Sequence, residues 1–537
     1  MLVPRGRYCI RRKPTFDRRA GLVCNVGMSE PASTNLPDTP HARLVAALRE
    51  NAVLDSIGST LAWDEQTQLP PAGTDLRADQ LSLMARLDHE RGTDPRLGEL
   101  ISAAEEAARG LPEDSDEATT AREARRDFDR ATKLPASLVE EMARAAVQGH
   151  AAWVQARRNN DFKAFQPYLE VNMRLKQQEA DCVGYEKDRY DALLDDYEPN
   201  ETAAGVERVF GGFKDELIDL VGRIQQSGRQ PRVDILERSF PVEQQTVLSR
   251  MAAEAVGFDF ESGRLDIAVH PFCSGVGPGD TRLTTRYDER DVGNSFFSTL
   301  HEAGHGMYEQ GLPKAQYFGT GCGESVSLGI HESQSRMWEN LVGRSRPFWE
   351  FFWPKAQGMF ASLRDVTMDE WLGAVNAIRP SFIRTEADEA TYNLHILLRY
   401  ELEQAMLRED LSIADLPGAW DEKMRKYLGI TPPEPSKGVL QDVHWSSGSI
   451  GYFPTYTLGN LYGAQFFEAA RRDLGDLDAM FARGEFAPLL SWLREKIHHQ
   501  GRRYTARQLA QRITGRDLNH EPLMNHLKRK AAEYYGV

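Results

Sequence analysis

Residues 294–312 read NSFFSTLHEAGHGMYEQGL. On a helix, Phe296, Phe297, Leu300, Gly304 and Met307 gather on one packed side. His301 and His305 stand one turn apart, so their rings can converge on one point. Zinc takes imidazole nitrogens at about 2.0–2.1 Å, and an i, i+4 histidine pair supplies two such contacts. Glu302 is turned about 100° from His301 around the axis. That places it beside a metal, able to accept a proton rather than to ligate. The competing explanation is chance, in a chain with thirteen histidines. Two glycines weigh against chance. Gly304 and Gly306 each cost about 0.5–1 kcal/mol inside a helix relative to alanine, and small residues there admit close approach of another backbone.

A third ligand must come from elsewhere. The downstream candidates are Glu309, Glu324, His331 and Glu332. Glu309 lies too far along the axis from His301 to converge well. GESVSLGIHESQSRMWENLVG predicts a second helix over about 323–343. Periodicity leaves its adjacent His331 and Glu332 nearly tied.

Outward from this stretch the pattern is overwhelmingly helical, with helices expected at about 136–160, 162–180, 200–227 and 241–256, the last with Pro241 in its first turn. Residues 98–133 predict a charged helix pair broken by GLPEDSDE. The pattern changes at 263–291, where LDIAVHPF and DTRLTTRYD alternate in the strand manner around a Gly/Pro-rich turn. This predicts a small antiparallel sheet beside the motif. A strand beside a cleft offers backbone groups to an extended peptide. Residues 430–454 are irregular.

The chain has 537 residues and a formal net charge of −15, a poor match for nucleic acid or an anionic membrane. No run of about 18 apolar residues exists, so no membrane span is expected. The five cysteines are widely spaced and form no CxxC pair. This argues against a disulfide framework and fits a cytoplasmic setting. Residues 1–27 carry seven Arg/Lys and one Asp. They are set aside as a basic extension or transit-type leader, and 28–537 is expected to be one catalytic domain.

The blocks His270-Pro271-Phe272, Asp280-x-Arg282-x-Thr284, His301 to His305, HESQ (331–334) and Ile383-Arg384-x-x-Ala387-Asp388 occur in this order. With LAWDEQTQLPPAG (61–73) and a Gly/Gln-containing segment at 444–465, they resemble the carboxypeptidase Taq family of zinc metallopeptidases over about 40–537. The resemblance implies a mainly α fold, similar to other helical HExxH peptidases, with a deep groove. It implies a homodimer that removes single residues from peptide C-termini with broad specificity. It settles the tie at 331/332: Glu332 would join His301 and His305 on one zinc ion, for which cobalt can substitute.

Within that reading Glu302 is the general base. His270, Tyr452 and Tyr456 are candidate donors to a tetrahedral oxyanion. A guanidinium binds carboxylate bidentately, and Arg384 is the first candidate for the substrate carboxylate because the resemblance implies that the Ile383-Arg384 block binds substrate. Arg282 is second, against a structural ion pair. Gln465 is carried from the late block. Two alternatives stand: an endo-acting oligopeptidase, which has no need of that arginine, and a helical binding protein with a structural metal.

Overall fold

Side-chain caps and apolar periodicity place helices along almost the whole chain in the computed structural model, which describes residues 38–537. The basic extension 1–27 lies outside the described residues. The expected helices form as Ala136–Asn159, Phe162–Val183, Ala203–Gln226 and Val242–Val256. Pro241 stands at the N-cap rather than in the first turn. Ser115, Asp161 and Thr202 each accept a backbone N–H and so start the helices that follow them. The charged pair is Pro95–Ala108 and Asp116–Lys133. These helices and the first one, Pro40–Thr67, enclose a small core of their own around Leu44, Leu97 and Ile101. A far larger apolar core runs from Trp153 to Tyr535. Among the described residues no helix is long and apolar enough to cross a membrane.

The sheet differs from expectation. It has three strands, β1 (Gly263–Ile267), β2 (Cys273–Gly277) and β3 (Asp280–Thr285), in the order β1-β3-β2. β2 and β3 are antiparallel, but β1 runs parallel to β3. The sheet is mixed, not antiparallel. The reason lies in the Gly/Pro-rich segment read as a turn: part of it is β2. The tight turn through Gly279, whose φ is +78°, pairs β2 with β3 as a hairpin. β1 is left the far edge of β3, where it arrives in the same direction. Alternation reports which face a residue takes and carries no information on strand direction.

The motif helix, Val292–Gly311, is capped by Asp291, which accepts from Asn294 N. Phe296, Phe297, Leu300 and Met307 are buried as the periodicity requires. The ligand helix, Leu328–Arg336, starts later than expected because Gly321–Gly323 makes a 3-10 turn and Ser327 caps Ile330 N. It continues as a π-helical stretch over Met337–Val342, where Gly343 N–H reaches back five residues to Trp338 O at 2.9 Å. Such wide turns recur at functional sites.

Three backbones meet here. A Cβ on Gly304 would lie 2.6 Å from Ser335 Cα and 2.7 Å from Gln334 O. On the other side of the ligand helix, a Cβ on Gly459 would lie 2.5 Å from both Glu332 Cβ and Cγ, and one on Gly463 would lie 3.0 Å from Ser333 O. Both glycines belong to the helix Pro454–Leu474. Gly306 instead makes room for Phe258 and Leu283 side chains. Gly304→Ala therefore destabilises the protein by about 1–3 kcal/mol through overpacking, despite the helical preference for alanine. The thermal unfolding midpoint checks this; an unchanged or higher midpoint contradicts it.

Candidate active site

The ligand and motif helices are pressed together where their polar residues face each other. His305 Nε2 lies 3.3 Å from Glu332 Oε2, and His301 Nε2 lies 3.6 Å from the same oxygen. One donor atom from each of the three residues falls within 4.8 Å of the others. Donors about 2.0–2.1 Å from a tetrahedral cation stand about 3.3–3.4 Å apart, close to the two histidine distances to Glu332 Oε2.

The outward-facing atoms are held as well. His301 Nδ1 sits 2.9 Å from Glu339 Oε2. His305 Nδ1 sits 2.5 Å from His331 Nδ1. The second oxygen of Glu332, Oε1, accepts from Arg336 Nε at 2.7 Å, and Arg336 also reaches Glu339 Oε2 at 3.2 Å. Each ligand candidate thus turns one lone pair inward and has its other side fixed, the arrangement that orients metal ligands. Glu332 is 6% exposed. Burial would raise its carboxyl, but Arg336 and then His301 hold it far below the ordinary range. Burial pushes His305 down to about 4 against the pull of Glu332, so the ring is neutral. His301 is also buried, yet Glu332 and Glu339 hold it above its usual value.

Glu302 differs from its neighbours. It is 6% exposed and forms no ion pair or hydrogen bond with any described side chain. Burial first, and then the Glu332 and Glu339 carboxylates, push it up to about 7, against His301. A buried carboxylate without a partner is costly unless it has work to do.

A second cluster lies next to the first. Arg336 stacks over the Tyr392 ring at 4.3 Å, and Tyr392 accepts from Arg384 Nη1 at 2.8 Å. Arg384 Nε donates to Asp442 Oδ1 at 2.9 Å, and its backbone N–H donates to Gln441 Oε1 at 2.8 Å. Arg399 Nε donates to the other oxygen of Asp442 at 2.6 Å. Two guanidiniums share one carboxylate, a surplus of positive charge in a site where Arg384 is 5% exposed. Arg384 Nη2 has no partner among the described residues. The Tyr456 ring lies 4.9 Å from the Arg384 guanidinium and 5.4 Å from the Tyr452 ring. Burial, with the nearby Glu332 charge, raises both phenols, so both keep their protons as donors. Burial and the Arg384 cation push His444 down to about 4, and its Nε2 lies 3.4 Å from the Tyr456 hydroxyl.

The family model for carboxypeptidase Taq (M32) metallopeptidases matches residues 43–531. The chain belongs to this family. It is accordingly a metal-dependent peptide hydrolase of the carboxypeptidase class, as expected. The chain is 47% identical over 509 residues to thermostable carboxypeptidase 1 of Thermus thermophilus, covering 93% of this chain and all of that one. It is 38% identical over 474 residues to carboxypeptidase 1 of Bacillus subtilis, covering 88% and 94%. The crystal structure of the M32 carboxypeptidase from Deinococcus radiodurans superposes with a TM-score of 0.90 at 41% identity, over 93% of this chain and all of that one.

Other residues singled out in the sequence fall elsewhere. Arg282 donates from Nε and Nη2 to Asp280 and stacks over Trp63 at 4.5 Å, an ion pair at the sheet beside the first helix. His270 is exposed in the turn after β1. Gln465 does not face the ligand helix. Its buried amide donates to Thr514 Oγ1 at 2.9 Å and accepts from Asn519 N at 3.1 Å, which ties it to the C-terminal segment. The glutamine that touches the arginine cluster is Gln441, in VLQDVHW just before the segment read from the sequence. Asp442 and Glu339 were likewise missed. Glu339 had a signal: Glu332, Arg336 and Glu339 follow the i, i+4, i+7 spacing of one helix face.

Asp442 carries a clear consequence. Burial would raise its carboxyl, but Arg399 and Arg384 hold it far below the ordinary aspartate value. A depressed carboxylate contributes stability that is present above about pH 4 and lost as the pH falls below it. Asp442→Asn leaves two buried guanidiniums unpaired, at a cost of about 3–5 kcal/mol. Urea unfolding at neutral pH should show that loss, and the gap between variant and parent should narrow in acid. A gap that is constant with pH rules out the ion pair as its source.

Proposed function

We propose that the protein is a zinc carboxypeptidase of broad specificity that releases single residues from peptide C-termini. In this reading His301, His305 and Glu332 hold one zinc ion, and Glu302 is the general base. The observation that carries it is the convergence of two neutral-capable imidazoles and one carboxylate beside a buried carboxylate with no partner. A divalent cation there supplies Lewis acidity, polarising the scissile carbonyl and making a water more acidic. Glu302 accepts the proton of the attacking water and returns it to the departing amine. Its value of about 7 suits a group that must both take and give a proton near neutrality.

Tyr452 and Tyr456 are protonated phenols next to the ligand carboxylate and can donate to the oxyanion. Exposed His270 is a further candidate for that task. Arg384 offers Nη2 and the surplus positive charge of its cluster to the substrate carboxylate. Such a charge favours cleavage one residue from the C-terminus and disfavours internal sites. Arg282, held by Asp280 at the sheet and outside the Arg384 cluster, is the second candidate for that carboxylate. The same reading takes 28–537 as a single catalytic unit that works as a homodimer in the cytoplasm. The family match across 43–531 supports one unit, and the separate free thiols of Cys182, Cys273 and Cys322 suit a reducing compartment.

Mass spectrometry of a peptide incubated with the enzyme should show a ladder of single C-terminal losses. The ladder should stop on chelation and return with Zn²⁺ or Co²⁺. A C-terminally amidated peptide should resist; rapid cleavage of it, or internal cuts, favours an endo-acting oligopeptidase instead. Glu302→Gln should keep its zinc yet lose about 10²–10⁴-fold or more in kcat. Retained activity in that variant eliminates Glu302 as the base.

A further inference from the structure

His301 and His305 are held from behind in two different ways. Behind His301 stands a carboxylate, Glu339. Behind His305 stands a second imidazole. His305 Nδ1 is 2.5 Å from His331 Nδ1, and His331 Nε2 is 2.7 Å from Glu309 Oε1. The other Glu309 oxygen pairs with Lys314, itself 7% exposed. A Cβ on Gly275 of β2 would lie 2.1 Å from Glu309 Oε2, so the strand lies flush against the outer end of this chain of groups.

The proton positions follow from both ends of this chain of groups. An ionised carboxylate accepts and does not donate, so His331 carries its proton on Nε2. Burial would raise the Glu309 carboxyl, but the His331 hydrogen bond and the Lys314 charge hold it down at about 2. In the ligand set proposed above His305 offers the metal its Nε2 lone pair, so its ring hydrogen is on Nδ1, and at 2.5 Å His331 Nδ1 is the acceptor that takes it, because two hydrogens there would clash. A neutral His305 protonated on Nδ1 has its own lone pair on Nε2, the atom that faces Glu332 Oε2.

We infer that His331 and Glu309 are positioning residues that lock His305 into the tautomer and ring orientation in which Nε2 can bind the metal. The inference rests on the ligand set proposed above. It gives a task to two residues that compete with Glu332 for the third metal position when only the sequence is read. Neither touches the metal position; both act through His305.

The test measures Zn²⁺ dissociation constants by chelator competition and the visible spectrum of the Co²⁺ form, with circular dichroism of the metal-free variants checking the fold. His331→Leu removes the acceptor and should weaken Zn²⁺ about 10–100-fold and alter the Co²⁺ spectrum. His331→Asn puts an amide oxygen near the former Nδ1 and should restore affinity to within about threefold of the parent. Glu309→Gln can donate to His331 Nε2, which permits the wrong tautomer. It should weaken Zn²⁺ about tenfold with His331 intact and have little effect in the His331→Leu background. Parental affinity and spectrum in His331→Leu overturn the inference, as does a Glu309→Gln effect of the same size in both backgrounds. Metal affinity is read separately from peptide release. Failure of the functional proposal therefore shows in the unmodified chain, and failure of this inference shows in the variants.

Discussion

Three lone pairs can meet at one buried point only if the helices carrying them touch backbone to backbone. Gly304 meets that condition between the motif helix and the ligand helix. Gly459 and Gly463 repeat it on the other side, where the helix Pro454–Leu474 lies directly on Glu332 and Ser333. A Cβ at any of these positions would lie 2.5–3.0 Å from the facing residues, so the helices could not keep this contact. The glycines are unfavourable in isolated helices, and the close packing around them offsets that cost. The surrounding core, with Phe296, Phe297, Leu300 and Met307 buried beneath the motif, keeps the contact from relaxing.

Electrostatics impose the second constraint. The site concentrates Glu302, Glu332 and Glu339 in low dielectric and balances them with Arg336, Arg344 and His301. Every one of these charges is paired except Glu302. A few residues away, the balance is reversed, with Arg384 and Arg399 sharing Asp442. In the function proposed, the two imbalances serve different parts of a peptide. One suits a proton that must move, the other a carboxylate that must be held. Both depend on exclusion of water, because exposed charges at these distances would contribute little.

Much of this was legible in the chain. The HEAGH pair, its packed side and the roles open to Glu302 follow from a period of 3.6 residues, which is local. The helix boundaries around 136–256 also follow from local signals, caps above all. Strand direction did not follow, because β2 lay within a stretch that reads as turn. Gln465, carried from the late block, is bonded to the C-terminal segment, while Gln441 and Asp442, unremarked in the sequence, hold Arg384. Periodicity could not separate His331 from Glu332, since neighbours on a helix differ by about 100° and the azimuth of the ligand helix was unknown.

The sequence alone determined that two histidines and a glutamate share one helical turn, that the chain is helical around them, and which family's blocks it carries. Only the tertiary structure decided that Glu332 Oε2 turns towards both imidazoles while His331 turns away to Glu309. It also decided that Arg282 pairs with Asp280 over the Trp63 ring, while Arg384 sits in the Asp442 and Tyr392 cluster that Arg336 joins to Glu332. The physical reason is range. Periodicity and capping act over a few residues, whereas the facing of two helices is set by contacts between residues far apart in the chain.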